Sequence, residues 1–400
     1  MKNKKDKFFY ALSLSLVLFF SLYLCLPDKA QLNVGQFVSH TIPRSLYKTF
    51  ISPVMRLCPL QKSNISCMLN FDKEPVNPSC FINEAVLQDK IRRGPPQWAR
   101  EQIQQDLSSF ETVSRANLEK YYRQHNKPRY MVAKIQIKNN KVNMTTNVNH
   151  YSADVMQNVL EYLAKKNYLP ETEFIVVLDD YYIPNDSKKI PFFTFAKDLD
   201  VPVEKDLILI PDWQNLASAP SLRQKIRAAK QLITWHDKEN KLFWRGGRWD
   251  STGFRDKFIA FSKKHPEQID AEYIETYYTK DKRFVNPEDH LKYKYLISID
   301  GQRCSWERLI WHLHSNSLVL KHQSNQIQWF YKGISPYTHY IPITDENSIL
   351  SNMAWAEQNP KEVQTIIDNA STFVEENLQL EDMYHYIVVL LQEYHKKLGP

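Results

Sequence analysis

The sequence predicts an α/β chain: two domains behind an N-terminal transmembrane helix. Three observations lead there. A chain of 400 residues exceeds what one hydrophobic core usually serves, and 43% apolar residues with 20 Phe, 22 Tyr and 9 Trp suffice for two. Short continuous apolar runs alternate with helix-period segments, the pattern of parallel strands buried on both faces. Near the start, Phe8–Leu26 is a 19-residue run without charge behind Lys2, Lys4, Lys5 and Lys7. About 20 such residues span a bilayer core as a helix.

The elements follow in order. Signal-peptide apolar regions are shorter and end at a small-x-small site. Here LPDKA follows, so residues 1–27 read as a cytoplasmic Lys-rich start and an uncleaved signal anchor. Flanking lysines place the N-terminus in the cytoplasm and the rest of a single-pass protein across the membrane. Residues 28–95 are irregular. GPPQW (94–98) starts a single long helix over 98–124, with Ile103, Leu107, Phe110 and Val113 on one side. RYMVAKIQI (129–137) is a strand and 152–164 an amphipathic helix. FIVVL (174–178), FFTF (192–195) and LILI (207–210) are strand-length apolar runs. LFW (242–244) is a short strand before a helix from about Phe254, KYKYLISI (292–299) and SLVLK (317–321) flank another helix, QWFY (328–331) is strand-like, and two helices at about 360–377 and 380–396 close the chain. The first α/β domain is assigned to 28–205, the second to 206–360 and closing helices to 361–400.

The net charge of +7 owes much to the first seven residues, too little elsewhere for a nucleic-acid surface. There are five cysteines and no CxxC, which argues against zinc; one disulfide among Cys58, Cys67 and Cys80 is open. Sequons stand at Asn64, Asn143, Asn185 and Asn369.

Chemistry concentrates in three places. The chain has eight glycines, and Gly246, Gly247 and Gly253 fall in FWRGGRWDSTGFRDKF (243–258) with Arg245, Arg248 and Arg255. Strand, Gly-rich turn and helix in succession suit a phosphate: the backbone approaches closely and guanidinium groups bind bidentately. IDGQRCSWER (299–308) repeats the design with Asp300, Gly301, Arg303, Ser305, Trp306 and Arg308, so a diphosphate is expected across the two turns. Third, VVLDDYYIP (176–184) sets Asp179 and Asp180 where a buried strand meets its loop, a place for a general base. Asp198-Leu199-Asp200 is a weak match to a metal-binding DxD. His312 and His314, two apart on a helix, face different ways and read as structural. His339 is a candidate ligand contact in a Pro-bounded loop.

These residues together resemble glycosyltransferase family 90, the family of CAP10-type capsule proteins, bacterial lipopolysaccharide-modifying transferases and animal protein O-glucosyltransferases. The carrying segments are 243–258, IDAEY (269–273), 292–321, QWFYKGISPYTHYIPI (328–343), PPQWAREQIQQDL (95–107) and LDDYYIP (178–184). The wording is similar to the bacterial lipopolysaccharide-type branch. The resemblance implies a GT-B architecture of two Rossmann-like domains facing a cleft. Residues 28–205 would lie on the acceptor side and 206–360 on the nucleotide-sugar side. It implies an inverting, metal-independent transfer from a UDP-sugar to a hydroxyl of a glycan or lipopolysaccharide-type acceptor, with no cofactor. A protein O-glucosyl- or xylosyltransferase in a secretory lumen and an inactive sugar-binding scaffold are the alternatives. Asp180 matches the family's base. Arg245-Gly246-Gly247-Arg248 and Asp300, Gly301, Ser305, Trp306 and Arg308 match its nucleotide-sugar turns. Asp179, Trp213 and His339 are candidate sugar or acceptor contacts, and Trp213 or Trp249 a stacking platform. Asp179 stands where animal members have arginine, and one extra residue separates Ser305 from Arg308; both weaken any transfer of donor or acceptor preference.

Overall fold

The computed structural model describes residues 78–127, 130–146, 150–179, 191–275 and 281–399. The chain divides into two units, residues 1–81 and 82–400. In the first, Pro78–Phe81 forms a 3-10 turn. The expected anchor at 8–26 and the cysteines 58 and 67 lie outside the described residues; among these, no helix is long and apolar enough to cross a membrane.

The second unit holds two five-stranded sheets. The first runs β2 (Lys141–Thr146), β1 (Val132–Lys138), β3 (Thr172–Val177), β4 (Phe192–Thr194), β6 (Ile208–Leu209). Strands β3, β4 and β6 are parallel, as their continuous apolar runs require, and every residue of β3 is buried. Strand β1 departs from expectation by pairing antiparallel with both neighbours. Its hairpin with β2 turns at Asn139 and Asn140, both at positive φ, which asparagine tolerates.

The second sheet is entirely parallel: β12 (Ile341–Ile343), β10 (Leu318–His322), β9 (Tyr293–Ser298), β7 (Glu239–Gly246), β8 (Ile269–Tyr273). From β7 the chain moves one way to β8, then returns past β7 to β9. The strand order therefore reverses between β7 and β9, and in such sheets the ligand crevice opens outside the carboxyl ends at the reversal.

Ten helices are described. They are α1 (Glu84–Arg93), α2 (Gln97–Leu107), α3 (Arg115–His125), α4 (Tyr151–Lys165), α5 (Trp213–Lys230), α6 (Phe254–Ser262), α7 (Glu307–Leu313), α8 (Ser348–Gln358), α9 (Pro360–Asn377) and α10 (Leu380–His395). Three expectations need correction. The segment 98–124 is two helices, because Val113 spends its N–H on the Lys397 carbonyl and its carbonyl on the Gly399 N–H instead of on a helix. Residues 28–95 are not wholly irregular: Asn83 caps α1 through its side chain and Gly94, at φ 78, ends it. Strand β6 belongs to the first sheet, so the passage between sheets lies in α5 rather than at 205/206.

The closing helix α10 returns to the first sheet. It buries Tyr384, Ile387, Leu390 and Tyr394 in the core that holds β3 and β4, and Tyr394 Oη donates to the Glu173 carbonyl at 3.3 Å. A two-stranded ribbon joins the halves, with β5 (Lys197–Asp198) antiparallel to β11 (Gln326–Ile327). Behind it, Lys197 Nζ meets Asp106 at 2.6 Å, both fully buried, and also donates to the carbonyls of Lys205 and Leu207. QWFY is not a strand: only Gln326–Ile327 pairs, and the chain then enters a 3-10 turn at Tyr331–Gly333.

Candidate functional site

The two turns foreseen in the sequence follow β7 and β9 and so flank the reversal point of the second sheet. Alternation along β7 sends Leu242 and Trp244 into the cluster with Phe258 and Ile259, and Phe243 to the other face with Leu291, Leu296 and Trp311. The strand runs through Arg245 and Gly246, two residues further than LFW suggested. A Cβ on Gly246 would lie 2.4 Å from the Trp244 ring. Gly253, at φ 70, makes the left-handed entry to α6, and the Asp250 carboxylate accepts the Arg255 N–H at 2.6 Å.

The three arginines of this stretch do three different things. Arg255 is 3% exposed and ties the turns together: Nη1 donates to the Gly247 carbonyl (2.7 Å), Nη2 to Ile299 (3.0 Å) and Nε to Asp300 (3.0 Å). Gly301 lets that guanidinium in, since a Cβ there would sit 2.9 Å from Nη2. Arg245 turns back along its strand: it lies over Phe243, pairs with Asp270 at 2.7 Å and donates to the Asp270 and Trp244 carbonyls. A phosphate would have to compete with Asp270 for it. Arg248 is exposed, its guanidinium 4.5 Å from the Tyr273 ring centre. Trp249 beside it is 69% exposed.

The turn after β9 is a closed structure. Asp300, 2% exposed, accepts the Ser305 N–H at 2.9 Å and the Ser324 hydroxyl at 2.5 Å. Ser305 Oγ meets Ser298 Oγ at 2.8 Å, and the Gly301 N–H donates to the Arg303 carbonyl at 2.7 Å. The Gly301 and Ser305 N–H groups are therefore already engaged. Arg303 is held bidentately by Glu204, both bonds 2.9 Å, which fastens this turn to the first half. Trp306 has φ 49 and ψ −132, a costly backbone for a bulky residue, and its ring meets Phe195 beyond β4 at 6.4 Å.

Arg308 and Arg245 both act on one imidazole. His290 is 5% exposed; burial, with Arg308 and Arg245 nearby, pushes its pKa down to about 3. His312 is driven low by burial and by Arg308, and its ring centre lies 6.4 Å from that of His290. His314 instead bonds Glu375 at 3.0 Å, so the two histidines do face different ways.

The other nominated residues scatter. Asp179 is buried at the end of β3; Asp180 lies outside the described residues. Trp213 opens α5 and packs edge-on against His150 at 5.7 Å. His339 accepts the Ser335 N–H through Nδ1 and packs on Phe373, which makes it part of its own loop. The DxD carboxylates close loop turns: Asp198 accepts the Asp200 N–H and Asp200 accepts from Asn325. Among the described residues no group of three or more His, Cys, Asp or Glu side chains is placed to hold a metal.

Two acidic residues escaped sequence reasoning. Asp212 caps α5, is 1% exposed, and accepts the Asn215 N–H and side-chain amide. Glu307 opens α7. Burial, then the Asp212 carboxylate, raises its pKa to about 7 against the opposing pull of Arg308, and its Oε2 is buried without a hydrogen-bond partner among the described residues. The available signal was a Glu next to the nominated Arg308 and an Asp following LILI.

Residues 95–399 match Glycosyl transferase family 90. The chain is 26% identical over 339 residues to Protein O-glucosyltransferase 2 of Danio rerio, covering 79% of this chain and 65% of that protein. It is 29% identical over 259 residues to Protein O-glucosyltransferase 1 of Homo sapiens, covering 58% and 64%. The matches thus span just under two thirds of those relatives' lengths. A crystal structure of Anabaena Alr3699/HepE in complex with UDP aligns with a TM-score of 0.30 at 7% identity, over 52% of this chain and 72% of that one. The family match takes in both sheets, both turns and the returning helix: the chain belongs to glycosyl transferase family 90.

Proposed function

We propose that this protein is a glycosyltransferase of GT-B-like architecture that takes a UDP-sugar as donor and passes the sugar to a hydroxyl of a protein or glycan acceptor. The observation that carries the reading is the pair of turns at the reversal of the parallel sheet, locked to one another by Arg255 and lying inside the family match. Arg248 and Arg308 supply positive charge beside those turns, and Arg245 joins them if a phosphate replaces Asp270. In the transfer, Asp180 removes the acceptor proton and the acceptor oxygen bonds to the anomeric carbon. The bond from that carbon to the diphosphate oxygen breaks, and UDP leaves with the electron pair, inverting the centre. Preorganised cations aimed at the departing diphosphate are worth about 10²–10³ in rate each. They would do the work of a divalent ion, so no cofactor enters the proposal.

The names of the animal relatives support a protein acceptor. The sequence wording of 292–321 supports a lipopolysaccharide-type one. An N-terminal signal anchor belongs to the same proposal, and a C-terminal reporter fusion tests its orientation. The enzymatic test is UDP release from a panel of UDP-sugars, with EDTA present, with and without folded-domain and glycan acceptors. We expect one donor to be used without metal and Asp180→Asn to abolish turnover while leaving donor binding intact. Turnover that needs a divalent ion and survives Asp180→Asn would overturn the mechanism.

A further inference from the structure

Three rings gather where α4 and α5 begin. His150 caps α4, Tyr151 is its first residue and is 46% exposed, and Trp213 opens α5, half-buried against the first core. The His150 and Trp213 rings meet at right angles with centres 5.7 Å apart, and the His150 and Tyr151 centres are 6.1 Å apart. The sheet topology places this group. Strand β2 is antiparallel to β1 and β1 to β3, so β2, β3, β4 and β6 all run the same way. Ala133 pairs with both Thr146 and Val176, which brings the ends of β2 and β3 level. His150 stands four residues past the end of β2, and Trp213 four past the end of β6. Those are the outermost strands of five, about 19 Å apart at roughly 4.8 Å per strand. Rings 5.7 Å apart therefore require both chains to turn inward along the carboxyl edge of the sheet. The middle strand at that edge is β3, which delivers the buried Asp179.

The rim of this surface is polar. Nδ1 of His150 accepts the Ser152 N–H at 3.2 Å and lies 2.9 Å from the Ser152 hydroxyl. An imidazole whose Nδ1 accepts a backbone N–H carries its proton on Nε2. That Nε2–H has no hydrogen-bond partner among the described residues. Asp154 is exposed three residues after Tyr151 on α4, hence on the same side of the helix, and its carboxylate has no ion pair or hydrogen bond among the described residues. Aromatic rings are thus bordered by one free donor and one free acceptor. We infer that His150, Tyr151 and Trp213 form the acceptor platform of this transferase and that its occupant is a sugar ring. The inference rests on the donor reading above. A sugar carries CH groups on its faces and hydroxyls around its edge, the complement of aromatic rings with a few placed polar groups. The hydroxyls would meet His150 Nε2–H and Asp154, and a face would lie on Tyr151 and Trp213. The donor diphosphate does not suit this place: Asp154 repels it, and the glycine turns belong to the second sheet.

The test is binding of the methyl glycosides of glucose, galactose, mannose and N-acetylglucosamine to the full-length protein, read by saturation-transfer NMR with UDP present. Calorimetry with the UDP-sugar the panel selects gives donor affinity beside it. We expect at least one glycoside to bind, with the strongest transfer to the CH protons of one ring face. Tyr151→Ala and Trp213→Ala should each weaken it about five- to tenfold. Tyr151→Phe, which keeps the ring, should bind like the parent. Donor affinity should be the same in the parent and Tyr151→Ala, and an unchanged melting temperature checks that this variant is folded. Equal glycoside binding by the parent and Tyr151→Ala, or no glycoside bound by a parent that binds a UDP-sugar, overturns the platform and leaves the donor site standing. Turnover on a folded-domain acceptor with a KM that Tyr151→Ala does not change also overturns it. A parent that binds a glycoside but no UDP-sugar overturns the donor reading, and the acceptor assignment with it.

Discussion

The turn after β7 and the turn after β9 are built from the same ingredients, glycine, arginine and a helix start, but to opposite ends. The first is open at its tip, where Arg248 and Trp249 reach solvent, while Arg245 is paired with Asp270 on the edge strand. The second is closed: Asp300 and Cys304 are buried, Ser305 is bonded to Asp300, and Arg303 is bolted to Glu204 in the other half. Arg255 belongs by sequence to the first and by bonding to both. The lesson is that an arginine beside glycines does not announce its partner. Of the four in these stretches whose bonding is on view, Arg245, Arg255 and Arg303 hold protein carboxylates or carbonyls, and Arg248 lies over the Tyr273 ring.

Substitutions sharpen the contrast. The largest loss is expected for Arg255→Ala, which orphans three carbonyls in a buried place. Hydrogen bonds to charged groups contribute about 1.5–3 kcal/mol each, so a loss of roughly 3–5 kcal/mol, or failure to fold, should appear in denaturant unfolding. Asp300→Ala strands a buried N–H and a hydroxyl and should cost about 2–3 kcal/mol by the same measurement. Gly301→Val drives a side chain into Arg255 and should cost about 1–3 kcal/mol. Arg248→Ala should leave the unfolding midpoint where it is and lower turnover about a hundredfold. Trp249→Ala should be the mildest, with stability unchanged and KM for the donor raised a few-fold if the ring stacks on sugar or base. A large stability loss in Arg248→Ala, or none in Arg255→Ala, would erase the distinction between the turns.

The second half is far more legible than the first. Its inner strands β7, β9 and β10 carry continuous apolar runs because both faces of a parallel sheet are covered. Strand β7 ends at Gly246 and β9 is followed by Asp300-Gly301, which mark the two turns. Leu296 and Leu320 need only their neighbours in sequence to be placed, whereas the strand at Ile341–Ile343 was not foreseen. The first half is completed from a distance. Val113 leaves its helix to bond the chain end, β1 reverses direction, and Tyr394 arrives from the last helix to cap β3. Nothing local to residues 98–124 encodes that break. At the site, Gly246 and Gly301 were readable as places of close approach, and Gly253 as a left-handed turn. Asp212 and Glu307 were not, because each alone looks like an ordinary helix-start acid.

The most direct test of the account is donor affinity measured by titration calorimetry with EDTA present, comparing the full-length parent with Arg248→Ala after confirming equal melting temperatures. Saturable binding of one UDP-sugar by the parent, weakened at least tenfold in the variant, is the predicted result. Equal affinities, or no binding of any UDP-sugar by a folded parent, would contradict the assignment of the paired turns to a nucleotide-sugar donor.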